Sequence, residues 1–318
     1  MVYHQPALLT EAIEGLKIRP DGIYADVTFG GGGHSKEILK NLNKGKLIAF
    51  DQDRDAEKNA TEIDDKRFIF LKQNFKFFKN NMRFYEAVPV SGIIADLGVS
   101  FHQFDTAERG FSFRFDSPLD MRMNKEREFT AFEIVNKYPV EKLRKIFRDF
   151  GEIENCNRLA YDIDVARKGE AIYTVKDLLS AIQNCIDKKK ESQYLAQVFQ
   201  ALRIEVNDEI ESLKEFLNQC LDVMETRGRL VIISYHSLED RLVKNFFRSG
   251  NFEGEIQKDF FGNVIRPMEP VNHKVIVPTE LEIKNNPRCR SAKLRVAEKN
   301  KSEIINQYNK IILEGRNN

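Results

Sequence analysis

The chain has 318 residues, 42% of them hydrophobic, with 50 Lys and Arg against 49 Asp and Glu. That suits one large domain or two ordinary ones, and a net charge of +1 excludes a chain-wide surface for polyanions, so any basic footprint is local. Cys156, Cys185, Cys220 and Cys289 form no CxxC pair or disulfide framework, and no residue cluster suggests a metal. The first residues lack a secretory pattern and no run reaches the roughly 18–20 apolar residues of a membrane span, so the expectation is a cytoplasmic protein.

In chain order, residues 23–29, 46–51, 68–73 and 90–98 are short runs, apolar on both faces. Covered parallel strands read this way, and the polar, helix-capable stretches between them imply right-handed βαβ units. After about residue 104 the pattern breaks. Residues 106–129 have no clear period and predict a long functional loop region. Helical signatures follow: Val140, Leu143, Ile146, Phe147 and Phe150 share one face, with Gly151 placed at C′. Thr174 and Asp177 open the next helix as a capping box, and residues 194–224 predict two helices parting near Asn207. Strand character returns at 228–236, weakly at 273–277, and at 291–299. The expected architecture is an α/β domain from residues 1–104 and 196–318, interrupted by a helical insertion over 105–195.

The most informative loop is "DVTFGGGGHS", residues 26–35. In an open α/β sheet the first βα turn is a ligand cradle, and Gly30 to Gly33 let the backbone come close to a ligand. Asp51 ends the second strand 21 residues after Gly30, where a carboxylate meets ribose hydroxyls. Asp26, just before the loop, suits the α-ammonium of an amino-acid moiety. A dinucleotide fingerprint wants a third glycine where Ser35 or Lys36 stands, and the G-K-[ST] of a P-loop is missing. These features favour S-adenosylmethionine, with a dinucleotide and a purely structural tight turn as alternatives.

Longer phrases carry a resemblance. "YHQPALLTEAI", "DVTFGGGGHS", "AFDQD", "ADLGVS", "FDTAERGFSFRFDSPLDMRMN", "FQALRIEVNDE", "SYHSLEDR" and "NPRCRSAKLRV" span residues 3–297 in order. In that order they resemble the ribosomal RNA small-subunit methyltransferase H family. The resemblance implies a class I S-adenosylmethionine-dependent methyltransferase fold, Rossmann-like and mostly parallel, with an inserted helical domain for RNA recognition. It implies methylation of the exocyclic N4 of a cytidine in the decoding region of 16S rRNA, and the net charge near zero favours the assembled small subunit over naked RNA as the substrate. Carried over by position, cofactor contacts fall on Gly32, Gly33, His34, Asp51, Phe75, Asp96 and Gln103. Gly32 and Gly33 would give the methionine part room, and Phe75 would lie against adenine. Two alternatives stand beside this reading: an RNA-binding assembly factor without catalysis, and a dinucleotide-dependent oxidoreductase.

The acceptor of the amine proton is open among Asp96, Asp120, His236 and Asp240. In "HSLEDR", Ser237 and Asp240 also read as a capping box, with His236 at the end of the fifth strand. Between residues 108 and 124, Arg109, Phe111, Phe113 and Arg122 alternate charge and ring as RNA-binding segments do. The competing reading packs those rings into a core.

Overall fold

The computed structural model describes residues 6–315. Two compact units divide the chain: residues 1–98 with 211–318, and residues 99–210.

The first unit is built on a seven-stranded sheet in the order β3-β2-β1-β4-β5-β9-β8. Its strands are β1 (Ile23–Asp26), β2 (Lys46–Phe50), β3 (Phe68–Leu71), β4 (Val90–Asp96) and β5 (Met224–Ser234), with β8 (Met268–Pro270) and β9 (Lys293–Lys299). Between them β6 (Gln257–Lys258) and β7 (Val264–Ile265) form a separate two-stranded hairpin. Strands β1 to β5 pair in parallel, while β9 is antiparallel to both β5 and β8. This is the mostly parallel, class I methyltransferase architecture that the resemblance implies.

Alternation along the strands makes the layers. Ile93 and Ala95 of β4, with Leu230 and Ile232 of β5, face one core; Ile94, Val231 and Ile233 face the other. Helices α4 (Phe78–Phe84), α11 (Glu209–Val223) and α12 (Ser237–Ser249) close the first face through Phe78, Phe216 and Phe246. The second face takes α1 (Leu9–Leu16) and α2 (Gly33–Lys40) through Ala12, Leu16, Ile38 and Leu39. Helix α3 (Arg54–Ala60) packs Ala56 and Ala60 against Phe29 and Ala49. Because both faces are covered, the strands read as unbroken apolar runs. Helices α13 (Glu280–Asn285) and α14 (Ser302–Gly315) flank β9 in sequence.

The second unit is helical: α5 (Phe101–Asp105), α6 (Ala131–Lys137), α7 (Val140–Asp149), α8 (Cys156–Gly169), α9 (Val175–Ile182) and α10 (Glu191–Asn207). On α7, Leu143, Ile146 and Phe147 are buried together with Leu159 and Ile163 of α8 and Val198 and Leu202 of α10. The unit therefore runs from 99 to 210 instead of the expected 105–195, since α10 spends its apolar residues on this core. Thr174 and Asp177 do form the capping box of α9. Helix α10 ends at Asn207, and Asp208 turns the chain into α11 at φ +55°. Gly151 follows α7, yet the left-handed residue there is Glu152 (φ +50°). Gly151 instead admits close packing: a Cβ on it would lie 2.7 Å from the Phe147 carbonyl oxygen. At 273–277 there is no strand, only the bridge Ile276↔Leu294. Among the described residues no helix is long and apolar enough to cross a membrane.

Candidate active site

The carboxyl ends of β1, β2 and β4 each finish on an aspartate, and parallel pairing sets the three side by side: Asp26, Asp51 and Asp96. Asp51 lies one residue past β2. Its two oxygens accept from the Gly30 and Asp53 backbone N–H groups, each at 2.8 Å. Asp26 is buried and takes the Ser35 hydroxyl at 2.7 Å and the Thr28 N–H at 3.2 Å. On Asp96, Oδ1 accepts from the Tyr235 hydroxyl at 2.9 Å, and the backbone N–H donates to Thr28 Oγ1 at 2.6 Å.

These acids meet neutral donors only, and burial favours their protonated forms. Burial pushes Asp26 and Asp51 up to about 6, their hydrogen bonds offsetting part of the effect. Asp96 rises to about 7, chiefly by burial, with Tyr235 drawing it down and the charges of Asp26 and Glu239 pushing it up. Tyr235 itself is held well above its ordinary value by burial beside Asp96.

In the glycine loop, Gly30 and Gly32 have φ of +51° and +75°, a conformation that residues with a Cβ resist. At Gly32 and Gly33 the chain itself leaves no space for a side chain. A Cβ on Gly32 would lie 2.7 Å from the Phe29 ring, and one on Gly33 only 2.2 Å from Pro6. The backbone is what the loop offers. The N–H groups of Gly33 and His34 open α2 and have no acceptor among the described residues, as an anion site at a helix N-terminus requires. The His34 side chain is buried and donates to the Ala7 backbone carbonyl; burial lowers it to about 4, so it is neutral. Asn59 of α3 braces the loop by donating to the Gly30 carbonyl at 2.8 Å.

Phe75 starts a one-turn helix, Phe75–Phe77, just beyond β3, and packs at 5.3 Å on Phe216 with part of its ring exposed. His236, not Ser237, is the N-cap of α12, its ring accepting from the Glu239 N–H at 3.5 Å. Glu239 Oε2 in turn accepts from the Tyr235 N–H. The cap thus sits one residue earlier than Ser237 and Asp240 suggested. Asp240 is free for another partner, Arg295 on β9, at 2.7 Å. Although burial opposes it, Arg295 and Lys293 hold Asp240 below its ordinary value, so it is a poor proton acceptor.

The remaining candidates lie in the helical unit. Gln103 completes a capping box with Ser100 at the start of α5. Asp120 is paired with Arg122 at 2.7 Å and held below its ordinary value despite burial. Arg109 is buried (1% exposed) and donates to the Arg122 and Met123 carbonyls, which makes it an internal staple of the loop. Phe111 is buried in the helical core, and Phe113 packs edge-on against Phe199 at 5.6 Å. An extruded base has no access to Phe111 without disrupting that core, so neither Arg109 nor Phe111 presents the surface expected of it. Among the arginines and rings of the segment, Arg114 and Phe115 are the exposed ones.

Tyr235 and Thr28, which position Asp96, are absent from the sequence-based candidates. Tyr235 stood inside the singled-out "SYHSLEDR", but only the β4–β5 pairing brings it to Asp96.

The profile of the MraW methylase family matches residues 1–300. A Parabacteroides distasonis protein named ribosomal RNA small subunit methyltransferase H is 57% identical over 299 residues, covering 93% of this chain and 97% of its own. Its namesake in Bacteroides thetaiotaomicron is 53% identical over 300 residues, covering 94% and 98%. Among solved structures, an rRNA methylase from Streptococcus thermophilus aligns with TM-score 0.42 and 12% identity, over 95% of this chain and 99% of that one.

Proposed function

The chain belongs to the MraW methylase family, and from that premise we propose that it methylates the exocyclic N4 of a cytidine in the decoding region of 16S rRNA. Membership makes it an S-adenosylmethionine-dependent methyltransferase and removes the dinucleotide-dependent oxidoreductase from consideration.

The donor set fits this cofactor. S-adenosylmethionine carries a sulfonium, an α-ammonium, a carboxylate and a ribose diol. The buried Asp26 and the half-buried Asp51 and Asp96, with no cationic partner among the described residues, suit the two positive groups, and the N–H pair opening α2, without an acceptor among those residues, suits the carboxylate. Asp51, fixed by two backbone donors, keeps lone pairs for the ribose hydroxyls, and the half-exposed Phe75 ring offers adenine a face. Gly32 and Gly33 act through their backbone, while His34 contributes its N–H and a neutral, packed side chain. Gln103, capping α5, is retained as a contact from the family pattern.

When bound, the cofactor supplies an electrophilic methyl group on a sulfonium sulfur. The N4 lone pair is delocalised into the cytosine ring, so alignment and charge stabilisation supply the rate. Asp96 is the group assigned to receive the proton that N4 loses. It ends β4, its Oδ1 is held by Tyr235, and its Oδ2 takes no hydrogen bond among the described residues. That placement, one carboxylate oxygen held by Tyr235 at the end of β4 and the other open, is the single observation that carries this assignment. Burial, which pushes Asp96 up to about 7 while Asp120 and Asp240 are held low by their cations, supports it.

RNA recognition is assigned to the helical insertion, Arg114 and Phe115 being better placed at its surface than Arg109 or Phe111. The assembled small subunit in the cytoplasm is the proposed substrate, because a net charge of +1 gives little general attraction to naked RNA. Labelled S-adenosylmethionine, offered to unmodified small subunits and to naked 16S rRNA, tests both points. N4-methylcytidine in the nucleoside digest, stronger from subunits, is the expected result. Incorporation into neither, with the cofactor bound, would overturn the acceptor.

A further inference from the structure

The segment after β3 leaves an unusual surface on the sheet unit. From residue 66 to 85 there are six basic side chains (Lys66, Arg67, Lys72, Lys76, Lys79 and Arg83) and no acid, in a chain whose total charge is +1. Arg67 is paired with Asp65 and Lys79 with Asp222, but Arg83 stands exposed with no ion pair among the described residues.

Helix α4 separates its faces sharply. Phe78 and Met82, both 0% exposed, enter the core. Phe77, Asn81 and Phe84 follow one another at helical spacing on a neighbouring stripe, about 100° round the helix, Phe77 46% and Phe84 80% exposed. Lys76 Nζ sits 5.2 Å from the centre of the Phe77 ring, and Phe84 meets Tyr85 edge-on at 5.2 Å. A run of charge alone is an ordinary solvated face, and one exposed ring is unremarkable. Two exposed rings, each preceded by a cation on the adjoining face, Lys76 before Phe77 and Arg83 before Phe84, form a different surface: phosphates answer the cations, and unpaired bases stack on the rings.

Its position adds to this. The stripe begins at the carboxyl end of β3, which pairs with β2 from Leu47↔Phe68 to Phe50↔Leu71. It therefore starts on the rim that holds Asp51 and Phe75 and, as α4 crosses back to the start of β4 at Val90, runs toward the amino-terminal ends of the strands. We propose that the outer stripe of residues 76–84, centred on Phe77, Arg83 and Phe84, is a docking surface for an unpaired stretch of the substrate RNA. The proposal rests on the rRNA reading above and adds a second RNA-binding element, on the sheet unit itself.

The test uses the full-length enzyme, unmodified small subunits and labelled S-adenosylmethionine, with Phe84→Ser and Arg83→Gln as variants. Both side chains are solvent-exposed, so folding is not at risk. Loss of one base–ring stack raises the KM for subunits about tenfold in Phe84→Ser, with kcat and cofactor affinity unchanged. Loss of one phosphate contact lowers the slope of log affinity against log salt by roughly 0.7 in Arg83→Gln. Wild-type KM and wild-type salt slope in both variants would overturn the proposal, as would a loss confined to kcat or to cofactor binding. Failure of the wild-type enzyme to methylate rRNA at all would instead remove the reading on which the proposal stands.

Discussion

The two units treat charge in opposite ways. In the helical unit the acids near the core are answered by cations: Asp120 by Arg122, Asp164 by Arg167, Glu209 by Arg203. Asp120 and Asp164 consequently stay below their ordinary values and add shape rather than reactivity. In the sheet unit Asp26, Asp51 and Asp96 crowd together at the strand ends with hydroxyl and amide donors alone, and their proton affinities rise. Cations the fold could have supplied go elsewhere: Arg295 and Lys293 hold Asp240. Three acids at the strand ends, one buried and two half-buried, without counter-charge among the described residues suit a positive ligand, and the contrast separates candidate binding groups from structural ones.

Several experiments break or sharpen this contrast. The largest effect is expected from Asp96→Asn, which removes the proton acceptor and lowers kcat by about 10²–10⁴-fold, a loss that saturating cofactor does not restore. Activity within tenfold of wild type would return the role to another group. Phe111→Ala tests the other unit: removal of a buried ring costs about 3–5 kcal/mol in denaturant unfolding. A variant of wild-type stability with weakened RNA binding would restore Phe111 as a stacking ring. Asp51→Ala deletes a charged hydrogen-bond partner of about 1.5–3 kcal/mol, and calorimetry should report cofactor affinity lower by roughly 10–100-fold.

The pH dependence follows from the same acids. A cationic ligand binds their ionised forms, so affinity falls as pH drops through the range from about 7 to about 6 where they take up protons. A loss of roughly tenfold between pH 7.5 and 5.5 is expected, and Asp51→Asn should flatten it. His34, neutral down to about 4, does not contribute there. Without ligand the sign of stability reverses. The folded state holds more protons on these acids than the unfolded chain, so they cost stability as pH rises from about 4 toward 7, while His34 opposes them between about 4 and 6.5. Thermal melts across that range, compared with Asp96→Asn, read the net slope. The smallest effect belongs to Asp120→Asn: about 1 kcal/mol of stability and an unchanged kcat. A collapse of turnover there would erase the distinction between the units.

Much of this was legible in the residues. Strands β1 to β4 announce themselves because both faces are covered, and Asp51 and Asp96 are found because parallel strands put their ends at the site. Tyr235 escapes because its partner is 139 positions away and only the sheet joins them. Phe111 and Arg109 mislead because alternating rings and guanidinium groups look alike in an RNA surface and in a stapled core. β6, β7 and β8 are missed because two or three residues carry no period. That Gly32 and Gly33 must be glycine because of Phe29 and Pro6 is a contact that a motif does not encode.

The place of β9 in the sheet has a consequence for how the chain is made. β9 is the last strand to emerge, yet it lies between β5 and β8, both synthesised earlier. Until residues 293–299 leave the ribosome, β5 keeps an open edge along Leu230–Ile233, and β8 lacks its neighbour in the sheet. The helical unit, whose contacts are nearer in sequence, is complete long before that. A chain cut short before β9 therefore forfeits two strands instead of one and exposes an apolar edge of the kind that recruits other chains.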